Sequence, residues 1–424
     1  MNRLARLLPA LVVLLLVSLR APSAHADPGD NYTISLVTMS PGEPVFFRFG
    51  HNAIWVHDDR TGRDEVFNWG TFSFEEPGLI TKFLRGRLTY WLSVQSMSAT
   101  LRAYQYEQRS IVSQELNLTG AQKLQMVQAM RDNARPENRK YQYHYYRDNC
   151  STRVRDAIDA GTGGALRAVS QDPSPLTYRG ETRRLVADVM WAYIALNLAM
   201  GSFIDQPVTL WEDMFVPERV MQQARKATTR NAAGEVVPLV KSEKVMLPLV
   251  MEPPPDSPPN RILPFLVVSS LLSALLGWIG TRAVIDPKGR KSALGWRLGF
   301  GLPLIVIGLL AGFLGSMFLF FWTATDHEVA WHNENLLQTS PLALALVVLG
   351  VGLIGARGWA RKWFVHVVWA LLGMSVLGLL LNAMPWWFKQ VNGEGIALWL
   401  PLWVALGGVG WLARRASRST PATP

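Results

Sequence analysis

Apolar and polar residues are distributed in two different ways along the chain. Between Tyr32 and about residue 252 they alternate with short periods; from Ile262 onward they form long uncharged runs of near bilayer-spanning length. The second pattern predicts an all-α transmembrane domain over 262–413, with five spans at roughly 262–283, 298–322, 340–356, 365–386 and 395–413. Residues 414–424 follow as a tail. Between the two regions, Met251-Glu252-Pro253-Pro254-Pro255-Asp256-Ser257-Pro258-Pro259-Asn260 reads as a stiff, extended spacer, which makes 253–261 a linker. The chain opens differently again. Arg3 and Arg6 precede the apolar Leu7–Leu19, and Ala24-His25-Ala26 fits a small-x-small cleavage site. Residues 1–26 are therefore expected to be a secretory signal peptide, and 27–252 an exported domain.

Inside 27–252, the pattern predicts strands at Tyr32–Thr38, Asn52–Val56, Glu65–Phe74 (with its turn), Leu88–Val94 and Ser110–Leu116. Helices are expected at Leu79–Leu84, Leu101–Gln108 and Ala121–Ala134, the last capped by Thr119. Tyr141–Tyr146 alternates aromatic and polar residues, which suits a half-buried strand. Asp148 and Asn149 are good N-cap residues, so a helix should run over 151–160 with Cys150 in its first turn. Beyond Gly161 the chain reads as mostly helical. Together these elements predict an α+β domain.

Charge sharpens the membrane reading. The net charge of +10 would suit a nucleic-acid partner, but much of the excess lies at the ends of the apolar spans. With 27–252 exported, the cytoplasmic side carries Lys288, Arg290, Lys291, Arg297, Arg357, Arg361, Lys362, Arg414, Arg415 and Arg418, whereas the opposite loops carry Lys389 alone. That positive-inside bias agrees with the independently read signal peptide. Trp322, Trp331, Trp386 and Trp387 fall near span ends, as interfacial aromatics do. No nucleic-acid partner, cofactor or resident metal is expected, because no Gly-rich phosphate loop, nucleotide fingerprint or Cys/His zinc spacing is present.

The candidate chemistry centres on Cys150, the single cysteine of the chain. At a helix N-terminus, exposed N–H groups and the helix dipole favour a thiolate, so Cys150 is expected to be an activated nucleophile. The alternative is a small buried hydrophobe, the commoner fate of a free cysteine. His51 follows a glycine at the start of a strand and could act as the base. Asn68 or Asp64, on the next strand, could orient its ring. The loop Thr323–Thr339 holds Asp326-His327-Glu328 and Trp331-His332-Asn333-Glu334-Asn335. Its spacing matches no common metal site, and it is expected to lie beside the exported domain and contact substrate there.

Three stretches, Met39–Val56 with Phe49-Gly50-His51, Phe67–Phe74, and Asp148–Asp156 with Asn149-Cys150-Ser151-Thr152-Arg153, resemble the periplasmic domain of Lnb-type bacterial lipoprotein N-acyltransferases. The five spans and His332-Asn333-Glu334-Asn335-Leu336-Leu337 resemble that family's membrane module. Histidine precedes cysteine here, an order similar to that of circularly permuted papain-like (NlpC/P60-like) folds, including the lecithin:retinol acyltransferase group. The resemblance implies Cys150 as nucleophile and His51 as general base, and carries over no third catalytic residue; Asn68 is the candidate for that role. Asn149, Ser151, Arg153, His332 and Asn333 are the candidate substrate-binding residues. It also implies a bacterial inner-membrane protein with its catalytic domain on the periplasmic side. A membrane phospholipid would be the acyl donor and a diacylated lipoprotein the acceptor. An envelope cysteine peptidase or amidase, using the same residues, and a non-enzymatic scaffold with an inert Cys150 are the competing readings.

Overall fold

The computed structural model describes residues 28–285, 291–384 and 390–418. The expected signal peptide, the loop residues Lys288 and Arg290, the aromatics Trp386 and Trp387, and Lys389 lie outside them.

The N-terminal domain, the one expected to be exported, opens with three antiparallel strands, β1 (Tyr32–Met39), β2 (His51–Asp58) and β3 (Arg63–Thr71). Then come α1 (Leu79–Arg85), β4 (Thr89–Gln95), α2 (Met97–Tyr106), β5 (Ile111–Leu116), α3 (Gly120–Asn133), β6 (Lys140–Gln142) and α4 (Cys150–Gly161). Four further helices follow: α5 (Ala165–Ala168), α6 (Tyr178–Leu185), α7 (Met190–Ala199) and α8 (Leu210–Asp213). The domain ends with α9 (Pro217–Lys226), β7 (Thr228–Arg230), β8 (Val236–Pro238) and β9 (Val240–Leu247). Seven strands form one antiparallel sheet, ordered β6-β4-β3-β2-β1-β5-β9. Alternation decides which face each residue joins. Ile34, Leu36, Ile54, Val56, Phe67 and Trp69 pack beneath α3 and α4 against Met126, Val154 and Ile158. Val37, Met39, Ala53 and Val66 face the other way, towards Met97 and Leu101 of α2. The domain is thus α+β.

One expectation fails locally. The aromatic run pairs as a strand only over Lys140–Gln142; from His144 to Asp148 the backbone folds into a tight loop closed by reciprocal N–H···O bonds of 3.0 and 3.1 Å. Beyond Gly161 the chain is not only helical, because β9 pairs along β5 and completes the sheet edge. Its outward residues are polar, and half-exposed edge strands carry a weak periodic signal.

The membrane domain comprises α10 (Ile262–Ile285), α11 (Lys291–Ala324), α12 (Ala345–Ile354), α13 (Gly358–Asn382) and α14 (Gly393–Arg418). Four described helices are long and apolar enough to cross a bilayer. The third expected span, at 340–356, belongs to a bent pair: Glu328–Leu337 and Pro341–Ile354 meet at 57°. A multi-pass membrane protein follows from composition and length. Gly308, Gly312 and Gly315 let α11 approach this broken element, since an added Cβ would fall 2.9 Å or less from its atoms.

The two domains are joined by buried polar contacts. The last carbonyls of α7, which have no partner within the helix, accept from the membrane module: Leu198 from Asn333 and Asn335, Ala199 from Asn333, and the Met200 carbonyl from Gln390. Glu394, at the start of α14, accepts from Arg183, Tyr193, Asn197 and the Arg261 N–H.

Candidate active site

The N-terminus of α4 is built around Asn149. Its Oδ1 accepts the N–H groups of Ser151 and Thr152 at 2.9 Å each, while Thr152 Oγ1 accepts the Asn149 N–H at 2.8 Å. These bonds satisfy helix-start donors that would otherwise be orphaned. Asn149 Nδ2 donates to the carbonyls of Tyr145 and Phe215, fastening the cap to the preceding loop and to the chain after α8. Ser151 Oγ donates to the Met214 carbonyl and accepts from Asn52 Nδ2 at 3.2 Å, which ties the helix to β2. Cys150 therefore occupies the first position of a helix whose start is held on three sides.

Opposite it, β3 bulges between Asn68 and Thr71. Gly70 has φ +91° there, and a Cβ on it would stand 3.1 Å from Cys150 Cβ. Only glycine takes this conformation at ease and leaves room for the cysteine. Gly50, at φ +79°, plays the matching part before β2: its missing Cβ would lie 2.9 Å from the Met39 carbonyl oxygen.

His51 is the first residue of β2, and its Nε2 lies 3.3 Å from Asn68 Oδ1. Asn68 Nδ2 donates to the Val66 carbonyl, so its oxygen is the atom turned towards the ring. An amide oxygen accepts, which places the imidazole proton on Nε2 and leaves Nδ1 with a free lone pair. The side chain of Asn52, the residue after His51, bonds Ser151, the residue after Cys150, and backbone N–H groups of Asn52 and Ser151 favour the charged form of the thiol. The structure thus brings His51 and Asn68 into contact and sets the β2 start against the start of α4.

Burial dominates the titration of both groups. It pushes the Cys150 thiol up to about 11, outweighing those N–H groups and the charge of Arg109. Burial, then Arg109, lowers His51 to about 4, against the opposing bond from Asn68. Both shifts run against the expected thiolate, because partial loss of hydration at the half-buried Cys150 and His51 opposes the helix-end field. Arg109 carried no signal in the sequence. It is 3% exposed, donates through Nε to the Ser40 carbonyl and through Nη1 to Glu107, and lies over the rings of Phe47 and Tyr104.

Other candidates take different places. Asp64 bonds His57 Nδ1 at 2.8 Å and Trp55, not His51. Asn149 and Ser151 are buried, and the contacts above make them positioning residues instead of substrate ligands. Arg153 forms a two-pronged ion pair with Asp148 over the Tyr141 ring. Asn333 is 1% exposed and spent on the α7 carbonyls. His332 is exposed, with φ +53° and its ring 5.3 Å from that of Trp322. The loop between α11 and α12 does lie against the N-terminal domain, through Asn333 and Asn335 and also through His327, whose Nε2 contacts the Phe83 carbonyl at 2.6 Å.

Two family models match the chain: residues 23–184 match the Lnb N-terminal periplasmic domain and residues 268–412 the Lnb transmembrane domain. Neither a curated protein nor a solved structure matches it.

Proposed function

As the chain belongs to the Lnb family, we propose that it is a thiol acyltransferase of the bacterial inner membrane, with 27–252 on the periplasmic side. On this reading it moves a fatty acyl chain from a phospholipid, through a Cys150 thioester, to the N-terminal amine of a diacylated lipoprotein. The observation that carries it is the His51 ring, turned by Asn68 and followed by Asn52, whose side chain bonds Ser151 next to Cys150.

Each step moves one proton through His51. Nδ1 takes the thiol proton as Sγ attacks the ester carbonyl carbon, so charge separates only during attack. The developing oxyanion is met by the N–H of Cys150 at the start of α4 and by that of Asn52. Cleavage of the C–O bond releases a lysophospholipid, whose alkoxide takes the proton from His51, and leaves the thioester. The acceptor amine then attacks the thioester carbonyl and gives up a proton to His51. The sulfur leaves, takes that proton, and an amide remains. Both substrates carry chains held in the bilayer, which accounts for a catalytic domain fastened to membrane helices.

Intact-mass and peptide analysis of the purified protein tests the proposal. A hydroxylamine-labile adduct of fatty-acyl mass on Cys150, absent from His51→Ala, is expected. A Cys150 that stays a bare thiol with phospholipid present overturns it. An adduct that forms but turns over to free fatty acid with the lipoprotein amine present favours hydrolysis.

A further inference from the structure

Helix α1 is short and out of place in a water-facing domain. It buries none of its residues, although Leu79, Ile80, Phe83 and Leu84 are all large and apolar. Ile80 is 75% exposed, Phe83 46% and Leu84 40%, and they lie at i, i+3 and i+4 on one helical face. Phe74, just before the helix, is 72% exposed.

The position of α1 relative to the membrane helices decides what covers this face. Span α11 ends at Ala324. Two residues on, the Asp326 N–H donates to the Arg85 carbonyl at 2.9 Å, and the Asp326 carboxylate pairs with Arg87 at 2.5 Å. His327 then contacts the Phe83 carbonyl. Gly86, at φ +75°, permits this contact, since its Cβ would lie 3.0 Å from the Asp326 backbone. α1 is therefore fixed to the end of α11, a helix long and apolar enough to cross a bilayer. Lys82 and Arg85 share the helix with the apolar face, the composition of an interfacial segment.

Aromatic rings lead from there towards the thiol. Phe83 meets His327, His327 stacks on Tyr145, Tyr145 meets Tyr143, and Tyr143 stacks on Tyr90 at 4.1 Å. Tyr90 meets Phe72, two residues from the glycine that touches Cys150. A cleft lined by Gly86, Leu88, Tyr143 and Tyr145 opens beside His327 along this path.

We propose that α1 inserts its Ile80–Phe83–Leu84 face into the outer leaflet, and that the aromatic row behind it is the bed along which a phospholipid acyl chain reaches Cys150. The second half rests on the acyltransferase reading; the first does not. The occupant is a bilayer lipid, its chain on the rings and its phosphate beside Lys82 and Arg85.

The test uses the full chain in phosphatidylcholine–phosphatidylglycerol nanodiscs. In a Cys150→Ser background, Ile80→Cys carries a fluorophore, and Val245→Cys on the far sheet edge serves as control. Nitroxides on the lipid chains are expected to quench the label at position 80 at least threefold more than that at 245. Equal quenching overturns insertion, whether or not the protein is an acyltransferase. With Cys150 present, Ile80→Asp is expected to slow its acylation from nanodisc phospholipid at least tenfold and that from soluble p-nitrophenyl butyrate less than twofold. Equal loss with both donors, or none with either, overturns the delivery role. Absence of any phospholipid-derived adduct in the parent protein, with position 80 still quenched, would instead refute the acyltransferase reading and leave the insertion in place.

Discussion

Replacing Asn149 with alanine separates positioning from substrate binding. The change removes Oδ1 from the N–H groups of Ser151 and Thr152, a cap loss of about 1 kcal/mol. It also strips Nδ2 from the Tyr145 and Phe215 carbonyls, which lose a donor at a site that is 5% exposed, for about 1 kcal/mol each. The total is about 3 kcal/mol, and at about 2–4 °C per kcal/mol for a domain of this size the melting temperature should fall by about 6–12 °C. Asn149→Ser keeps an oxygen at the cap but loses both donors, so it should recover about a third of the loss. The assay is thermal unfolding of the full chain in detergent, followed by tryptophan fluorescence, alongside the rate of Cys150 acylation. A residue that binds substrate would behave differently: KM would rise and the melting temperature would stay. A fall of less than about 2 °C in Asn149→Ala refutes the reasoning.

Four further outcomes follow from the same geometry. Glu394→Ala leaves the half-buried Arg183 without its carboxylate, a loss of about 2–3 kcal/mol, and should speed proteolysis at the 253–261 linker; an unchanged digestion rate counts against the docking role. Gly70→Ala forces a left-handed conformation costing about 1–2 kcal/mol and pushes a methyl at Cys150, so acyl-adduct formation should slow at least tenfold while Gly62→Ala, where a Cβ meets nothing, does not. Alkylation of Cys150 by iodoacetamide should rise about tenfold per pH unit from neutrality towards its value of about 11, and a plateau at neutral pH would reveal a preformed thiolate. His51 titrates lower folded, at about 4, than its ordinary 6.5, so its neutral form supports the fold above 6.5. That support drains away as pH falls towards about 4, because the unfolded chain then binds the proton more readily; His51→Gln should flatten this part of the stability profile.

Much of this protein was legible before any tertiary contact. Bilayer-length apolar runs, the asymmetry of Lys and Arg, and the period-two strands depend on composition and spacing alone, so the two-domain plan and the α+β class followed directly. So did the start of α4, because an N-cap is a local device: Asn149 bonds residues two and three places ahead. The charge state of the site did not. A helix end argues for a thiolate when water is near, but hydration is removed by chain from distant elements, and that burial moves Cys150 and His51 in opposite directions. Register and neighbours were equally hidden. Asn68 and Asp64 could both orient the ring by sequence, and Asn68 was the choice; the Ile54↔Phe67 pairing and the bulge after Asn68 bring it to His51 and send Asp64 to His57. Arg109 acts on the site from the turn between α2 and β5, and His327 reaches the exported domain from beyond a membrane span. Such meetings arise from packing between segments far apart in the chain, which no local pattern encodes.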